Sequence, residues 1–119
     1  GAEHEPAIFG KQAKWVDYSG PTPTGGREGV TYFDHPSNPN YPNHWHVRED
    51  GWMGCSMCMK QPLRTTRESP LTLRFMLHVH DGPIDADRAA AVQQAFAAAP
   101  PWRVAKATVK HRQFTVGRM

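Results

Sequence analysis

The sequence predicts a mostly β fold: an antiparallel sheet or partial β-sandwich with one helix near the C-terminus, at about residues 85–98. Three observations predict it. Ten glycines and eleven prolines among 119 residues exceed the roughly 12% average share of these two types, which favours turns and short strands over long helices. Leu71, Leu73, Phe75, Leu77 and Val79 alternate with Thr72, Arg74, Met76, His78 and His80, the period-2 pattern of a strand with one buried face. Only one segment has helical composition, the alanine-rich run from Ala86 to Ala98.

Taken in order, Ala13–Tyr18 is short, aromatic and β-branched and reads as a strand. It is closed by the Gly- and Pro-punctuated turn Ser19–Gly26. Gly29–Asp34 is a second strand, with Val30, Tyr32 and Asp34 on one face and Thr31, Phe33 and His35 on the other. Pro36–Asn43 holds three prolines. They remove amide donors and bias the preceding residues away from helix, so this segment is a rigid polar loop.

His44–Val47 resumes an extended pattern. In the next run, Trp52–Lys60, an extended chain places Met53, Cys55, Met57 and Met59 on one side and Cys58 on the other. Leu71–His80 is the half-buried strand already described. After the turn at Asp81–Pro83, Asp85 caps the helix, Ala89, Val92 and Phe96 make a narrow apolar stripe, and Pro100–Pro101 stops it. Residues 102–118 alternate weakly and read as a basic tail or as one or two edge strands, where lysine blocks further pairing.

Composition narrows the function classes. The chain is long enough for one domain, residues 1–119, with one modest core. Mean hydropathy is −0.65, and no stretch approaches the roughly 20 apolar residues of a membrane-spanning helix. The net charge of +3 is concentrated at one end: residues 1–100 carry nine basic and eleven acidic side chains, residues 101–119 five basic and no acidic ones. Five cations over so many residues make a solvated edge more readily than a nucleic-acid surface, so nucleic acid is disfavoured as a partner. The first residues show no leader of basic then apolar residues, which leaves a cytoplasmic protein or one secreted after processing. A phosphate-binding Gly-rich loop and a GxSxG elbow are both absent.

Two constellations carry chemistry. Four of the seven histidines form the pairs His44/His46 and His78/His80. On a strand, residues i and i+2 share a face, so each pair can aim two imidazoles at one point and hold copper, zinc or iron. No carboxylate stands at ligand spacing, so no metal is the favoured reading. The pair Cys55/Cys58 lacks the second half of a zinc motif, and alternation sends the two sulfurs to opposite sides as free thiols. The second constellation is Asp34–Asp50, the densest polar-aromatic segment. It offers imidazoles for proton transfer, Arg48 and asparagine amides for hydroxyls, and Tyr41 and Trp45 as flat platforms. Sugars need that mixture.

At Tyr32–Asn40, followed by His44-Trp-His-Val-Arg48, Pro70–Phe75 and His78-Val-His-Asp-Gly82, the chain resembles the bacterial PmoA-like family, labelled "methane oxygenase" and of uncharacterised function. The resemblance runs from about Phe9 to Ala98 and covers only the C-terminal part of the usual family protein. It implies a larger β-sandwich encoded among sugar-metabolism genes, similar in style to mutarotase-like sandwiches. Either the chain is a truncated or processed piece of such a protein, or strands from a second copy or a partner chain complete the sheet. Carried over by position, the motif residues are Asp34, His35, Pro36, Asn38, Trp45, His46, Arg48, His80, Asp81 and Gly82.

The expectation is therefore a carbohydrate-associated domain that binds a sugar or moves a proton on one. His35 and His46 are the acid/base candidates, and Asp34, Asn38, Trp45, Arg48, His80 and Asp81 bind the substrate. The alternatives are a metal-binding protein or oxygenase using His44, His46, His78 and His80, and a non-catalytic subunit or fragment. Strand edges left open favour a homo-oligomer.

Overall fold

A computed structural model describes residues 1–119. Alternating apolar residues and a tight turn make the first hairpin. β1 (Trp15–Pro21) and β2 (Arg27–Asp34) pair antiparallel from Trp15↔Phe33 to Pro21↔Arg27. The turn is closed by Thr22 and Gly26, and Gly25 takes a φ of 86°, which a side chain would strain. β2 then pairs on its other side with β5 (Phe75–Asp81), from Glu28↔Asp81 to Asp34↔Phe75, giving the sheet order β1-β2-β5. β2 is thus the central strand, and Thr31, Phe33 and Asp34 are all buried.

Register assigns the sheet two faces. One carries Val16, Tyr18, Val30, Tyr32, Leu77 and Val79, and the other Trp15, Asp17, Thr31, Phe33, Met76, His78 and His80. A second hairpin, β3 (His44–Val47) with β4 (Met53–Ser56), covers the β1 side of the first face. There Val16, Trp45 and Val47 form the core, with Ile8, Ala13, Tyr32, Met53 and Cys55 packed around them. Residues 10–13 run beside β3 and share its backbone hydrogen bonds, Gly10 N to Trp45 O at 2.8 Å and Trp45 N to Lys11 O at 3.0 Å. A four-residue helix, α1 (Glu5–Ile8), precedes them. The sequence pattern does not predict it, since four residues show no period.

The long helix α2 (Ala86–Ala98) has the bounds its composition predicts, and the Asp85 carboxylate accepts from the amides of Asp87 and Arg88. It lies on the second sheet face through Ala89 and Gln93, both buried. The fold is mostly β with antiparallel sheets and one long helix near the C-terminus, as expected. No helix is long and apolar enough to cross a membrane.

Three expectations are corrected. The strand predicted over Leu71–His80 begins only at Phe75. Just before it, the Asn38 side chain occupies the Arg74 backbone, accepting from N at 2.8 Å and donating to O at 2.7 Å. Its buried face is also the opposite of the expected one: Leu77 and Val79 are 64% and 74% exposed, while under α2 His78 is half-buried and the His80 side chain almost wholly enclosed. The β3–β4 hairpin reaches only the β1 side of the first face, so the apolar side of β5 stays open.

The extended run predicted from Trp52 to Lys60 is a strand only over Met53–Ser56. It ends in a turn closed by Met59 N to Ser56 O. The two cysteines therefore do not alternate across one strand. Cys55 sits half-buried opposite Trp45, Cys58 is exposed on the turn, and both are free. Residues 102–118 form β6 (Trp102–Lys106) and β7 (Phe114–Arg118), which pair with each other and not with the main sheet.

Candidate functional site

The proline loop is built around one carboxylate. Asp34 is 0% exposed; its Oδ1 accepts from Asn38 Nδ2 at 2.8 Å, and its Oδ2 accepts from Asn43 N and Asn43 Nδ2, both at 3.0 Å. Through Asn38 the same network reaches the Arg74 backbone. His35 is buried as well. Its Nδ1 accepts from Ser37 N at 3.0 Å and lies 2.7 Å from Ser37 Oγ, which assigns the ring proton to Nε2. Burial pushes the His35 pKa below its ordinary value, and the Arg74 guanidinium adds to this. Trp45 is 0% exposed and donates Nε1 to Ala13 O at 2.8 Å.

These positions correct the expected site. Asp34, Asn38 and Trp45, expected as substrate binders, are enclosed with their polar atoms engaged by the chain itself; His35, expected as acid/base, is enclosed as well, with Nδ1 held by Ser37 and Nε2 buried without a partner. Trp45 has no free face on which a sugar could stack.

His46 and Arg48 lie elsewhere. His46 stands between Phe9, edge-on at 5.0 Å, and Trp52 at 6.1 Å. Arg48 Nη1 pairs with Glu5 Oε1 at 3.1 Å, on the surface, tying α1 to the β3–β4 turn. The four-histidine metal centre is likewise not assembled. Trp45 and Val47 face the core, so His44 and His46 face outward from β3, whereas His78 and His80 lie on the far side of the main sheet, beneath α2. The core separates the two pairs, and no group of three or more His, Cys, Asp or Glu is placed to hold a metal ion.

Polar side chains converge on open space in two places. The first is a groove of about 260 Å³ between the proline loop and the chain after β4, lined by Gln12, Asn40, Tyr41, His44, Lys60 and Gln61, with Met57 at its wall. Its amides are held in place. Asn40 adopts a φ of 63°, which asparagine tolerates better than most residues. It donates to Met57 O at 3.1 Å and accepts from Gln61 Nε2 at 3.0 Å. Gln12 donates Nε2 to Pro42 O at 2.8 Å. The amide oxygens of Gln12 and Gln61, the His44 ring and the Lys60 ammonium are left for a ligand. Sequence reading singled out the loop and missed Gln12, Lys60 and Gln61, which belong to no motif and arrive only through folding.

The second place is a small pocket of about 30 Å³ where the N-terminal end of α2 meets the sheet, bordered by Thr31, His78, His80, Asp81 and Arg88. That volume suits an ordered water. Here His80 Nε2 lies 2.8 Å from Asp17 Oδ1, both side chains being more than nine-tenths buried, and Thr31 Oγ1 donates to the same oxygen at 2.7 Å. The ring fits because residue 29 is glycine: a Cβ there would sit 2.6 Å from His80 Nε2 and 2.5 Å from Ser19 Cβ. His80 and Asp81 were legible as candidates. Asp17 and Thr31 were not, because their relation to His80 is a matter of strand register.

Of the two thiols, burial pushes Cys55 up to about 12, with the Asp34 carboxylate adding to the shift. It stays protonated and acts as core packing, not as a nucleophile.

A family model described as "Family of unknown function (DUF6807)" matches residues 1–94. No curated protein and no solved structure matches the chain.

Proposed function

Since the chain belongs to the DUF6807 family, whose function is unknown, its role has to be read from its own surface, and we propose that it is a carbohydrate-associated domain that binds a sugar in the groove beside the proline loop. The observation that carries this reading is the convergence of Gln12, Asn40, Gln61, His44 and Lys60 on one open space of about 260 Å³. Planar amides present a donor and an acceptor side by side, which is what neighbouring hydroxyls of a sugar ask for. Tyr41 and Met57 supply an apolar wall for its C–H face. The Asp34 network keeps the loop rigid, so little conformational freedom is lost on binding. The resemblance to the PmoA-like family, with its sugar-metabolism setting, supports the same reading. Assembly with a second chain, the expectation from open strand edges, belongs to it as well.

Calorimetric titration with a panel of mono- and disaccharides tests the groove. One of them is expected to bind, and His44→Ala and Gln61→Ala each to weaken it about tenfold or more, the loss of a hydrogen-bonded contact of roughly 1.4 kcal/mol. Both variants should keep the wild-type melting temperature. A panel in which no saccharide binds, or in which neither variant matters, would remove this proposal.

A second reading, proton transfer on a sugar, is favoured by the His80–Asp17 pair. Asp17 orients the ring through Nε2 and leaves Nδ1 to exchange a proton with a water of the size the small pocket admits, which relays it to a sugar hydroxyl outside. Polarimetry should then show faster interconversion of sugar anomers with the wild-type chain, lost in His80→Gln and in Asp17→Asn. An uncatalysed rate with wild-type protein would dismiss the enzymic reading and leave the binding one standing.

A further inference from the structure

Two surfaces of this chain have no cover. One is the β5 side of the first sheet face, where Leu77 and Val79 stand exposed beside the half-buried Tyr32 and Val30 and the row ends in the acidic pair Glu28 and Asp81. No other strand lies beyond β5. The other is the β6–β7 ribbon. Its register places Trp102 with Arg118, Val104 with Val116 and Lys106 with Phe114 on one face, and all four apolar residues of that face are exposed. The ribbon face is apolar at its centre and basic at its ends, and the residues from 101 onward include no acid. The sheet face is apolar with an acidic end.

We propose that two copies of this chain exchange these ribbons, the β6–β7 ribbon of each lying across the open β2–β5 face of the other. A second copy is the occupant that fits because it satisfies both surfaces at once, apolar against apolar and Lys106 against Glu28 and Asp81, Arg118 being held over its own Trp102 ring and on Pro100 O. The ribbon does not reach its own sheet face. Its base is pinned near the start of β5, on the side where α2 ends, by Arg118 Nη1 to Pro100 O at 2.7 Å, Met119 N to Pro101 O at 3.1 Å and Arg74 Nη2 to Ala99 O at 2.8 Å. It projects instead: the Cα radius of gyration is 17.1 Å, against roughly 13–14 Å for a globular chain of this length. Reciprocal exchange about a two-fold axis uses each surface once and leaves no open end. This inference is independent of the sugar groove, which lies elsewhere on the molecule.

Sedimentation of the whole chain at micromolar concentration, in low and high salt, tests it with two charge-inserting variants. The wild-type chain is expected to be a dimer that weakens as salt rises. Val79→Lys sets a cation against the basic ribbon, and Val116→Glu sets an anion against the acidic face. Each alone should weaken the dimer about tenfold or more, with an unchanged circular dichroism spectrum because both positions are exposed. Mixing the two variants should restore a heterodimer, since each then offers the partner its complement. If either variant loses its spectrum, Leu77→Lys with Val104→Glu replaces the pair. A monomer at every concentration, a dimer indifferent to both variants, or two variants that fail to rescue each other would overturn the proposal.

Discussion

Replacing Asp34 by alanine is expected to unfold the protein or to cost it about 3–5 kcal/mol, the range for removing one partner of a buried charged network. The carboxylate has no exposed surface and receives three donors, from Asn38 Nδ2, Asn43 N and Asn43 Nδ2. Alanine leaves all three unpaired in the interior, each carrying the desolvation cost of a buried polar group. Asp34→Asn tests the electrostatics separately from the shape. With Oδ2 accepting both Asn43 bonds, the new amide nitrogen must occupy the Oδ1 position and point at Asn38 Nδ2. Asn38 cannot turn over to accept from it without losing both bonds to the Arg74 backbone. Urea unfolding should therefore find Asp34→Asn destabilised too. A change below about 1 kcal/mol in either variant would show that the loop closes without its carboxylate.

Trp45→Ala is the second large effect, at about 3–5 kcal/mol for emptying a buried indole. The side chain is completely enclosed, stands edge-on to Tyr32 at 5.1 Å and donates to Ala13 O. Alanine removes the centre of the small core of Val16, Trp45 and Val47 and orphans a carbonyl. Trp45→Phe keeps an aromatic ring there and loses the hydrogen bond, so thermal or urea unfolding should place it between alanine and wild type. If Trp45 were instead a ligand platform, its removal would abolish binding and leave stability untouched, and that outcome would contradict the burial on which this prediction stands.

Much of the local structure could be read from the residues. The alternation along Gly29–Asp34, the strand His44–Val47, and the helix 86–98 between Asp85 and Pro100 all follow from period, cap and proline, which act within one turn or one strand. The proline loop was also legible, since proline restricts its own and the preceding backbone wherever it stands. The β6–β7 ribbon was half legible: its weak alternation indicated strands, while its failure to join the main sheet was invisible.

The candidate site was less legible, and the reason differs residue by residue. Asp34, His35, Asn38 and Trp45 stand in a segment whose chemistry suits a sugar, yet a carboxylate that holds a ligand and one that holds a loop have the same sequence. Deciding between them needs the partners, Asn43 nine residues on and the Arg74 backbone at the start of β5. Gln12 and Gln61 meet Asn40 only after the chain has crossed the sheet. Asp17 meets His80 across β2 because both pairings are in register and Gly29 leaves room for the ring.

The sequence by itself determined the alternation of β2 and β3, the proline loop and the helix α2, and within each strand which side chains share a face. Which face is covered was decided by tertiary structure alone. β5 shows this most clearly: its alternation is unambiguous, yet Leu77 and Val79 are the exposed residues and His78 and His80 the covered ones. Alternation is set by backbone geometry within the strand, whereas burial is set by what packs across from it. α2 and the β3–β4 hairpin each reached only part of the sheet.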